Sequence, residues 1–122
     1  MKVLLVEDDH GFRALLKRLL ENKYDADVFE AINGIKGLEL VKKRHPQVIL
    51  LDIDMPQMDG KQFLEMLRQF DEVTPVVIMT ALSEKELITE LIPLGITDYI
   101  LKTEPLELLT DRVQQILFNR RP

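Results

Sequence analysis

Short apolar runs alternate along the chain with longer segments in which apolar residues recur every three or four positions. The short runs predict β-strands at Lys2–Val6, Asp27–Ala31, Val48–Asp52, Val76–Thr80 and Asp98–Leu101. Three of these runs consist almost entirely of Val, Ile and Leu, which is typical of parallel strands covered on both faces. The run at Asp27–Ala31 is the most mixed in polarity, so we expect it at an edge of the sheet.

The longer segments predict five amphipathic helices, because their apolar side chains fall on one helical face. The apolar positions of successive helices are Phe12, Leu15, Leu16, Leu19 and Leu20; Ile35, Leu38 and Val41; Phe63, Met66, Leu67 and Phe70; Leu87, Ile88, Leu91 and Ile92; and Leu109, Val113, Ile116 and Leu117. The fourth helix opens with a capping-box pattern at Ser83-Glu84-Lys85-Glu86. It must distort or stop near Pro93, whose ring would clash with the carbonyl of Thr89, and Gly95 ends it.

This alternation predicts an α/β fold, in which a doubly wound, five-stranded parallel sheet is covered by five helices. Right-handed crossovers make 2-1-3-4-5 the simplest strand order. The chain has 122 residues, of which 46% are apolar, and this is enough for one compact domain with its own core. We therefore expect a single domain over residues 1–122.

Composition and charge exclude several classes of function. The chain contains no cysteine, which excludes a disulfide scaffold, a thiolate zinc site and a cysteine nucleophile. Glu7-Asp8-Asp9 interrupts the first apolar run far short of a signal peptide or a membrane span, so we expect a cytoplasmic protein without membrane contact. The formal net charge of −5 argues against nucleic-acid binding, and the basic pair Arg120-Arg121 is interpreted as a helix end.

Polar residues follow four of the predicted strands at their carboxyl ends, where open α/β sheets bind ligands. They are Glu7, Asp8 and Asp9 after the first strand, Asp52 at the end of the third, Thr80 at the end of the fourth and Lys102 after the fifth. Several carboxylates in one crevice repel each other unless a cation joins them, and a set of oxygen ligands suits Mg²⁺. Asp52 can then act as a nucleophile toward phosphorus, while Mg²⁺ and Lys102 neutralise the phosphoryl oxygens and Thr80 donates a hydrogen bond.

Other polar residues have simpler structural interpretations. Asp9 is expected to cap the first helix rather than to bind metal, and Asp59-Gly60 to turn the chain into the third helix. His10 and His45 are expected to be exposed, and neither has a second histidine nearby that would indicate a zinc site.

Four segments resemble the sequence motifs of response-regulator receiver domains. They are Val6-Glu7-Asp8-Asp9, Leu51-Asp52-Ile53-Asp54-Met55-Pro56-Gln57-Met58-Asp59-Gly60, Met79-Thr80-Ala81 and Tyr99-Ile100-Leu101-Lys102. The segments occur in the family's order over the whole chain, and the D-x-x-M-P-x-M-D-G stretch is highly specific. The resemblance implies a flavodoxin-like fold of the chemotaxis-regulator type. It also implies that Asp52 takes a phosphoryl group from a phosphohistidine on a sensor histidine kinase or phosphotransfer protein, or slowly from a small phosphodonor, without being a turnover enzyme.

The same resemblance implies roles for the neighbouring residues. Asp8 and Asp52 would bind Mg²⁺ directly, Glu7 would act mainly through water, and the backbone carbonyl of Asp54 would be a further ligand. Thr80 and Lys102 would contact the phosphoryl oxygens.

In this family, phosphorylation draws the threonine toward the phosphate and turns an aromatic ring inward; the matching residues here are Thr80 and Tyr99. The face formed by helix four, strand five and helix five is thereby reshaped for a downstream effector domain or protein, and a homodimer of the phosphorylated form is compatible with this. Ala81 would leave room for the phosphoryl group. Asp54 and Leu82 would flank the path of the hydrolytic water, and the bulk of Leu82 implies slow dephosphorylation.

The sequence departs from the family pattern in two places. The lysine is usually followed by a proline in a cis peptide, whereas here the pair is Lys102-Thr103. A cis bond before threonine costs about 3 kcal/mol more than its trans form, which leaves the geometry of this loop open. Pro105 is then a candidate start of the fifth helix, with Glu104 at its cap. Asp54 is acidic where many relatives carry a neutral residue, and this adds negative potential beside the site.

Two alternatives come from other classes of function. Leu51-Asp52-Ile53-Asp54 also resembles the D-x-D motif of haloacid-dehalogenase-type phosphatases, in which Asp52 would be the nucleophile and Asp54 the general acid. The later acidic pair and the extra length for a cap that such enzymes need are absent. The second alternative is a phosphorylation-independent pseudo-receiver, a pure interaction module, against which the intact set of Asp8, Asp52, Thr80 and Lys102 argues.

Overall fold

The computed structural model describes residues 1–55, 58–81 and 85–119, and within them the predicted strands and helices are confirmed. In chain order the elements are β1 (Lys2–Val6), α1 (His10–Tyr24), β2 (Asp27–Ala31), α2 (Gly34–Arg44), β3 (Val48–Asp52), α3 (Gly60–Leu67), β4 (Val76–Thr80), α4 (Lys85–Leu91), β5 (Asp98–Leu101) and α5 (Leu106–Asn119). The strands coincide with the predicted bounds. No helix in the described part of the chain is long and apolar enough to cross a membrane.

The strands form one parallel sheet in the order β2-β1-β3-β4-β5, as predicted, with the mixed strand β2 at an edge. Its register brings the strand ends to one level: Val6 lies opposite Leu51, and Thr80 lies opposite Leu101. Because the strands are parallel, the residues that follow them emerge together at the carboxyl edge of the sheet. This register places the acidic, hydroxyl and lysine residues of the sequence motifs side by side.

The core lies on both faces of the sheet, and the alternation of side chains along each strand divides it into two layers. Val3 and Leu5 point toward α1 and α5, where they pack with Leu16, Leu20 and Val113. The alternate positions point toward α2, α3 and α4, where the packing residues include Leu4, Val6, Phe63, Leu64 and Leu91. Every residue of β3 and β4 is buried, which explains why these two strands read as continuous apolar runs.

The predicted starts of α1 and α3 agree with the structure, whereas the predicted cap Glu104 does not directly precede α5, which begins at Leu106. The Asp9 side chain accepts a hydrogen bond from the Phe12 amide at 3.1 Å and caps α1. Asp59 caps α3, where its side chain and that of Gln62 form a reciprocal capping box. Residues 56–57, 82–84 and 120–122 lie outside the described residues, and with them Leu82, most of the capping-box pattern before α4 and the Arg120-Arg121 pair.

The end of α4 also follows the prediction. After Leu91 the chain tightens into a 3₁₀ turn over Ile92–Leu94 that contains Pro93, and Gly95 then adopts a left-handed conformation with φ of 81°. The Lys102–Thr103 peptide is trans, so this chain does not share the cis bond of the family pattern. Pro105 lies immediately before α5, which begins at Leu106, one position later than the predicted start.

One arginine ties this turn to the rest of the fold. Arg68, at the carboxyl end of α3, donates hydrogen bonds to four backbone carbonyls at distances of 2.7–3.0 Å. The acceptors are the carbonyls of Asp71, Thr74, Leu94 and Gly95. Burial lowers the pKa of Arg68, and the neighbouring charge of Asp71 partly offsets this. The guanidinium therefore joins the α3–β4 loop to the turn that follows α4.

Candidate functional site

The carboxyl edge of the sheet brings together an ammonium group and two buried carboxylates. Lys102 Nζ lies 2.6 Å from Glu7 Oε1 and 3.2 Å from Asp52 Oδ2. The Glu7 side chain is fully buried, that of Asp52 is 2% exposed, and that of Lys102 is 19% exposed. Buried charges are tolerated when they are paired, so Lys102 is the group that makes this acidic edge compatible with folding.

The charges at this edge do not balance within the side chains themselves. Burial raises the pKa of Glu7 to about 8, and the hydrogen bond and negative charge of Asp52 add to the effect, while Lys102 and the Asp9 amide oppose it. Burial acts to lower the pKa of Lys102, but the hydrogen bond to Glu7 and the charge of Asp52 outweigh it and raise that pKa. Two carboxylates share one ammonium group, so the site takes up a further positive charge, either a proton on Glu7 or a metal cation.

The donor set fits a magnesium ion. One carboxylate oxygen from each of Glu7, Asp8 and Asp52 lies within 4.8 Å of the others. Glu7 Oε1 is buried, and among the described residues no donor other than the Lys102 ammonium lies close to it. Hard oxygen donors with room for water are the environment that Mg²⁺ prefers. These three predicted ligands are therefore brought together by the fold.

Asp52 is held at both of its carboxylate oxygens. Its Oδ1 accepts a hydrogen bond from the Asp54 amide at 3.0 Å, and its Oδ2 faces Lys102. Ile53, directly after Asp52, lies against Gly60, where an added Cβ would lie 2.8 Å from the Ile53 Cα. Glycine is therefore required where the chain enters α3. The Asp54 side chain is exposed and is not part of the group formed by Glu7, Asp8 and Asp52. The role of its backbone carbonyl as a Mg²⁺ ligand stays a prediction.

The predicted switch residues border the same edge. Thr80 is fully buried at the end of β4, and its carbonyl accepts a hydrogen bond from the Lys102 amide at 2.7 Å. Ala81 follows it and is exposed, while the Tyr99 side chain on β5 is 42% exposed. The fold thus places Thr80 directly beside Lys102. Tyr99 lies on β5, three residues before Lys102.

Two residues at this edge were not identified from the sequence. Phe12 places its ring under the Lys102 ammonium, with Nζ 4.9 Å from the ring centroid. Arg13 donates a hydrogen bond to the Glu7 backbone carbonyl at 2.9 Å. Helical periodicity places Phe12 on the apolar face of α1 and Arg13 outside that face, and it indicates no role at the site for either. Their position in the first turn after an acidic strand end was the signal that could have indicated the site.

The sheet order and the acidic carboxyl edge define a flavodoxin-like α/β domain with its ligand site at the strand ends. The sequence matches the family model of the response regulator receiver domain over residues 3–114. It is 36% identical over 116 residues to sporulation initiation phosphotransferase F of Bacillus subtilis, which covers 95% of this chain and 93% of that protein. The chain therefore belongs to the response-regulator receiver family.

Two further similarities show the range of the family. The chain is 37% identical over 119 residues to the Escherichia coli regulatory protein AtoC; the match takes in 95% of this chain but only 25% of that protein. The structure of the Francisella response regulator 1452 receiver domain superposes with a TM-score of 0.90 at 31% identity, with 98% of each chain covered.

Family membership fixes the general role of the domain. Receiver domains are phosphoryl-accepting signalling modules that bind Mg²⁺ at an acidic pocket and work with histidine kinases or phosphotransfer proteins and with effector domains. Neither the haloacid-dehalogenase-type phosphatase nor the pseudo-receiver is favoured by these similarities.

Proposed function

We propose that the chain is one receiver domain in which Asp52 accepts a phosphoryl group from the phosphohistidine of a sensor histidine kinase or phosphotransfer protein. The observation that carries this proposal is the position of the Asp52 carboxylate. It is buried at the end of β3, 3.2 Å from Lys102 Nζ and within 4.8 Å of oxygens from Glu7 and Asp8. Glu7 shares these contacts, since it also lies against Lys102 and belongs to the same group of acids. Asp52 is proposed as the acceptor because it is the first aspartate of the D-x-x-M-P-x-M-D-G motif.

The transfer is a displacement at phosphorus. A carboxylate oxygen of Asp52 forms a P–O bond while the P–N bond of the phosphohistidine breaks, and the electron pair remains on the imidazole nitrogen of the donor. Lys102 already lies against Asp52, so its ammonium is placed to pair with an oxygen of the incoming phosphoryl group. Thr80, at the end of the adjacent strand, supplies a hydroxyl for a second phosphoryl oxygen.

Glu7, Asp8 and Asp52 would hold the Mg²⁺, together with the backbone carbonyl of Asp54. When bound, the ion supplies positive charge that offsets the negative charge of the transferred group. The side chains themselves set the preference for this ion, because they offer only carboxylate oxygens and one of them, Asp8, is exposed to water.

The phosphorylated state would be read at the face formed by α4, β5 and α5. Thr80 moves toward the phosphoryl group and Tyr99 turns inward, which changes this face for an effector domain or a second copy of the chain. Ala81 leaves room for the phosphoryl group, and Asp54 flanks the path of the hydrolytic water and influences the lifetime of the phosphorylated form.

Intact-mass measurement after incubation with acetyl phosphate and Mg²⁺ tests the acceptor. The wild type should gain one phosphoryl adduct and Asp52→Asn none, whereas the matched control Asp27→Asn, an exposed aspartate at the start of β2, should be labelled like the wild type. An adduct that persists on Asp52→Asn would overturn the assignment of the acceptor. A wild type that takes no phosphoryl group from acetyl phosphate, phosphoramidate or a phosphohistidine donor would instead identify a pseudo-receiver.

A further inference from the structure

The backbone of Glu7 is held from two sides at the point where β1 ends. Its amide donates a hydrogen bond to the Ala31 carbonyl on β2 at 3.0 Å. Its carbonyl accepts a hydrogen bond from Arg13 Nη1 at 2.9 Å. The peptide group between Glu7 and Asp8 is therefore fixed by a side chain that belongs to α1, one turn further along the chain.

Arg13 is itself firmly placed. Its Nε lies 3.2 Å from Glu30 Oε1 on β2, and its Nη2 lies 3.2 Å from His10 Nδ1. The side chain is only 11% exposed, in contrast to the neighbouring cation Lys17, which is 35% exposed and reaches the same Glu30 carboxylate at 3.3 Å. A planar guanidinium can hold a carbonyl and a carboxylate at the same time, which a single ammonium group cannot do in this geometry.

We propose that Arg13 is a positioning residue for the Mg²⁺ site, which keeps the Glu7–Asp8 peptide in the orientation that holds the exposed Asp8 carboxylate near Asp52. The proposal rests on the proposed function, because it requires that Glu7, Asp8 and Asp52 hold the ion. Asp8 follows the fixed peptide directly, and its ligand oxygen lies within 4.8 Å of those of its two partners. Outer groups that orient metal ligands commonly change metal affinity when they are removed.

The sign of the effect separates positioning from simple electrostatics. Arg13 is a cation close to an acidic site, so its charge alone repels Mg²⁺, and removing that charge should strengthen binding of the ion. A positioning role requires the opposite, because a loop released from Arg13 must be ordered again when the ion binds. Weaker binding after loss of the arginine is therefore a result that electrostatics cannot produce.

Mg²⁺ titration followed by amide chemical shifts, on uniformly ¹⁵N-labelled metal-free protein, measures the dissociation constant directly. Arg13→Gln should raise the Kd for Mg²⁺ on the order of tenfold. Arg13→Lys keeps the charge but loses the two-pronged contact, so it should also raise the Kd. The matched control Lys17→Gln removes the same charge from the same helix and the same glutamate without touching Glu7, and it should leave the Kd unchanged or lower it slightly.

Amide hydrogen exchange of the metal-free variants provides a second readout. Exchange at Asp8 and Asp9 should accelerate in both Arg13 variants and not in Lys17→Gln, while the free energy of unfolding in urea shows that the variants are folded. If Arg13→Gln does not fold, Arg13→Lys decides the question alone. An unchanged or lower Kd in the folded Arg13 variants overturns the positioning role. A wild type without saturable Mg²⁺ binding, or Asp8→Asn that binds as tightly, overturns the metal site itself.

Discussion

Raising the pH should destabilise the metal-free protein, and Glu7 should be the cause. Burial raises the pKa of this carboxyl from 4.5 to about 8 in the folded protein. The folded state therefore holds this proton more tightly than the unfolded state. Its contribution to the free energy of unfolding is present in full below about pH 4.5 and is lost as the pH rises toward 8.

The size of this loss follows from the same two values. At about 1.36 kcal/mol for each pKa unit, the difference between 4.5 and about 8 corresponds to an upper bound of about 4–5 kcal/mol. Solvent reaches the edge of the site through the exposed Asp8 and the 19% exposed Lys102, which reduces the effective penalty. We therefore expect the free energy of unfolding to fall by about 2–3 kcal/mol between pH 5 and pH 8.

The other shifted groups do not act in this pH window. Hydrogen bonds lower the pKa values of Asp71 and Asp111, so their stabilising contributions are complete above 3.8 and are lost only in acid. The pKa values of Lys23 and Lys102 are raised, so their contributions are fully present below 10.5. A slope between pH 5 and pH 8 therefore reports mainly on Glu7.

Urea unfolding in the presence of a chelator, repeated across this pH range, measures the effect. The wild type should lose stability as the pH rises, and Glu7→Gln, which cannot ionise, should give a nearly flat profile. Saturating Mg²⁺ should restore stability at the upper end of the range, because the ion binds the ionised carboxylates of the folded state. The reasoning is refuted by a flat wild-type profile, or by Glu7→Gln with the same slope as the wild type.

Two further substitutions test contacts that the sequence did not indicate. Phe12→Leu removes the ring beneath Lys102 and with it a cation–π interaction of about 1 kcal/mol, so it should slow labelling by acetyl phosphate several-fold. The control Phe12→Tyr keeps a ring and should keep the wild-type rate. Equal labelling rates for the two variants would count against the contact. Arg68→Met should lower the free energy of unfolding in urea by about 2–4 kcal/mol, because four backbone carbonyls lose their donor. The control Lys61→Met loses only an exposed ion pair with Glu90 and should lower it by about 1 kcal/mol or less. Similar losses in the two variants would contradict this reasoning.

The elements were predictable wherever the local pattern matches the local environment. β3 and β4 are apolar throughout because both faces of the sheet are covered. The end of α4 was predictable because Pro93 cannot continue a regular helix and Gly95 accepts a positive φ. The end of α1 carries no such signal, since Asp25 adopts the left-handed conformation there with φ of 52°. At the end of α2, His45 adopts it with φ of 49°, directly before Pro46.

Glu7, Asp8 and Asp52 were predictable because each lies in a short contiguous motif at the end of a strand. Their convergence follows from the parallel sheet. The roles of Arg13 and Arg68 were not predictable in the same way. Helical periodicity assigns each to a polar face, and a cation there is normally solvated. Arg68 binds four backbone carbonyls, and Arg13 reaches the site through the Glu7 backbone carbonyl. Every residue carries such a carbonyl, so the sequence contains no mark of these pairings.

The contacts of Arg68 have a geometric consequence for the segment that precedes them. The turn after α4 is tied at Leu94 and Gly95 to the end of α3, whereas the first residue of α4 follows Thr80 by five positions along the chain. A short helix that is fixed at its carboxyl end moves mainly by rotation about that end. Along the roughly 10 Å of a seven-residue helix, a tilt of about 10° carries the free end through about 2 Å and leaves the tied end in place. Because Arg68 holds Leu94 and Gly95, a tilt of α4 displaces its amino end most and its carboxyl end least.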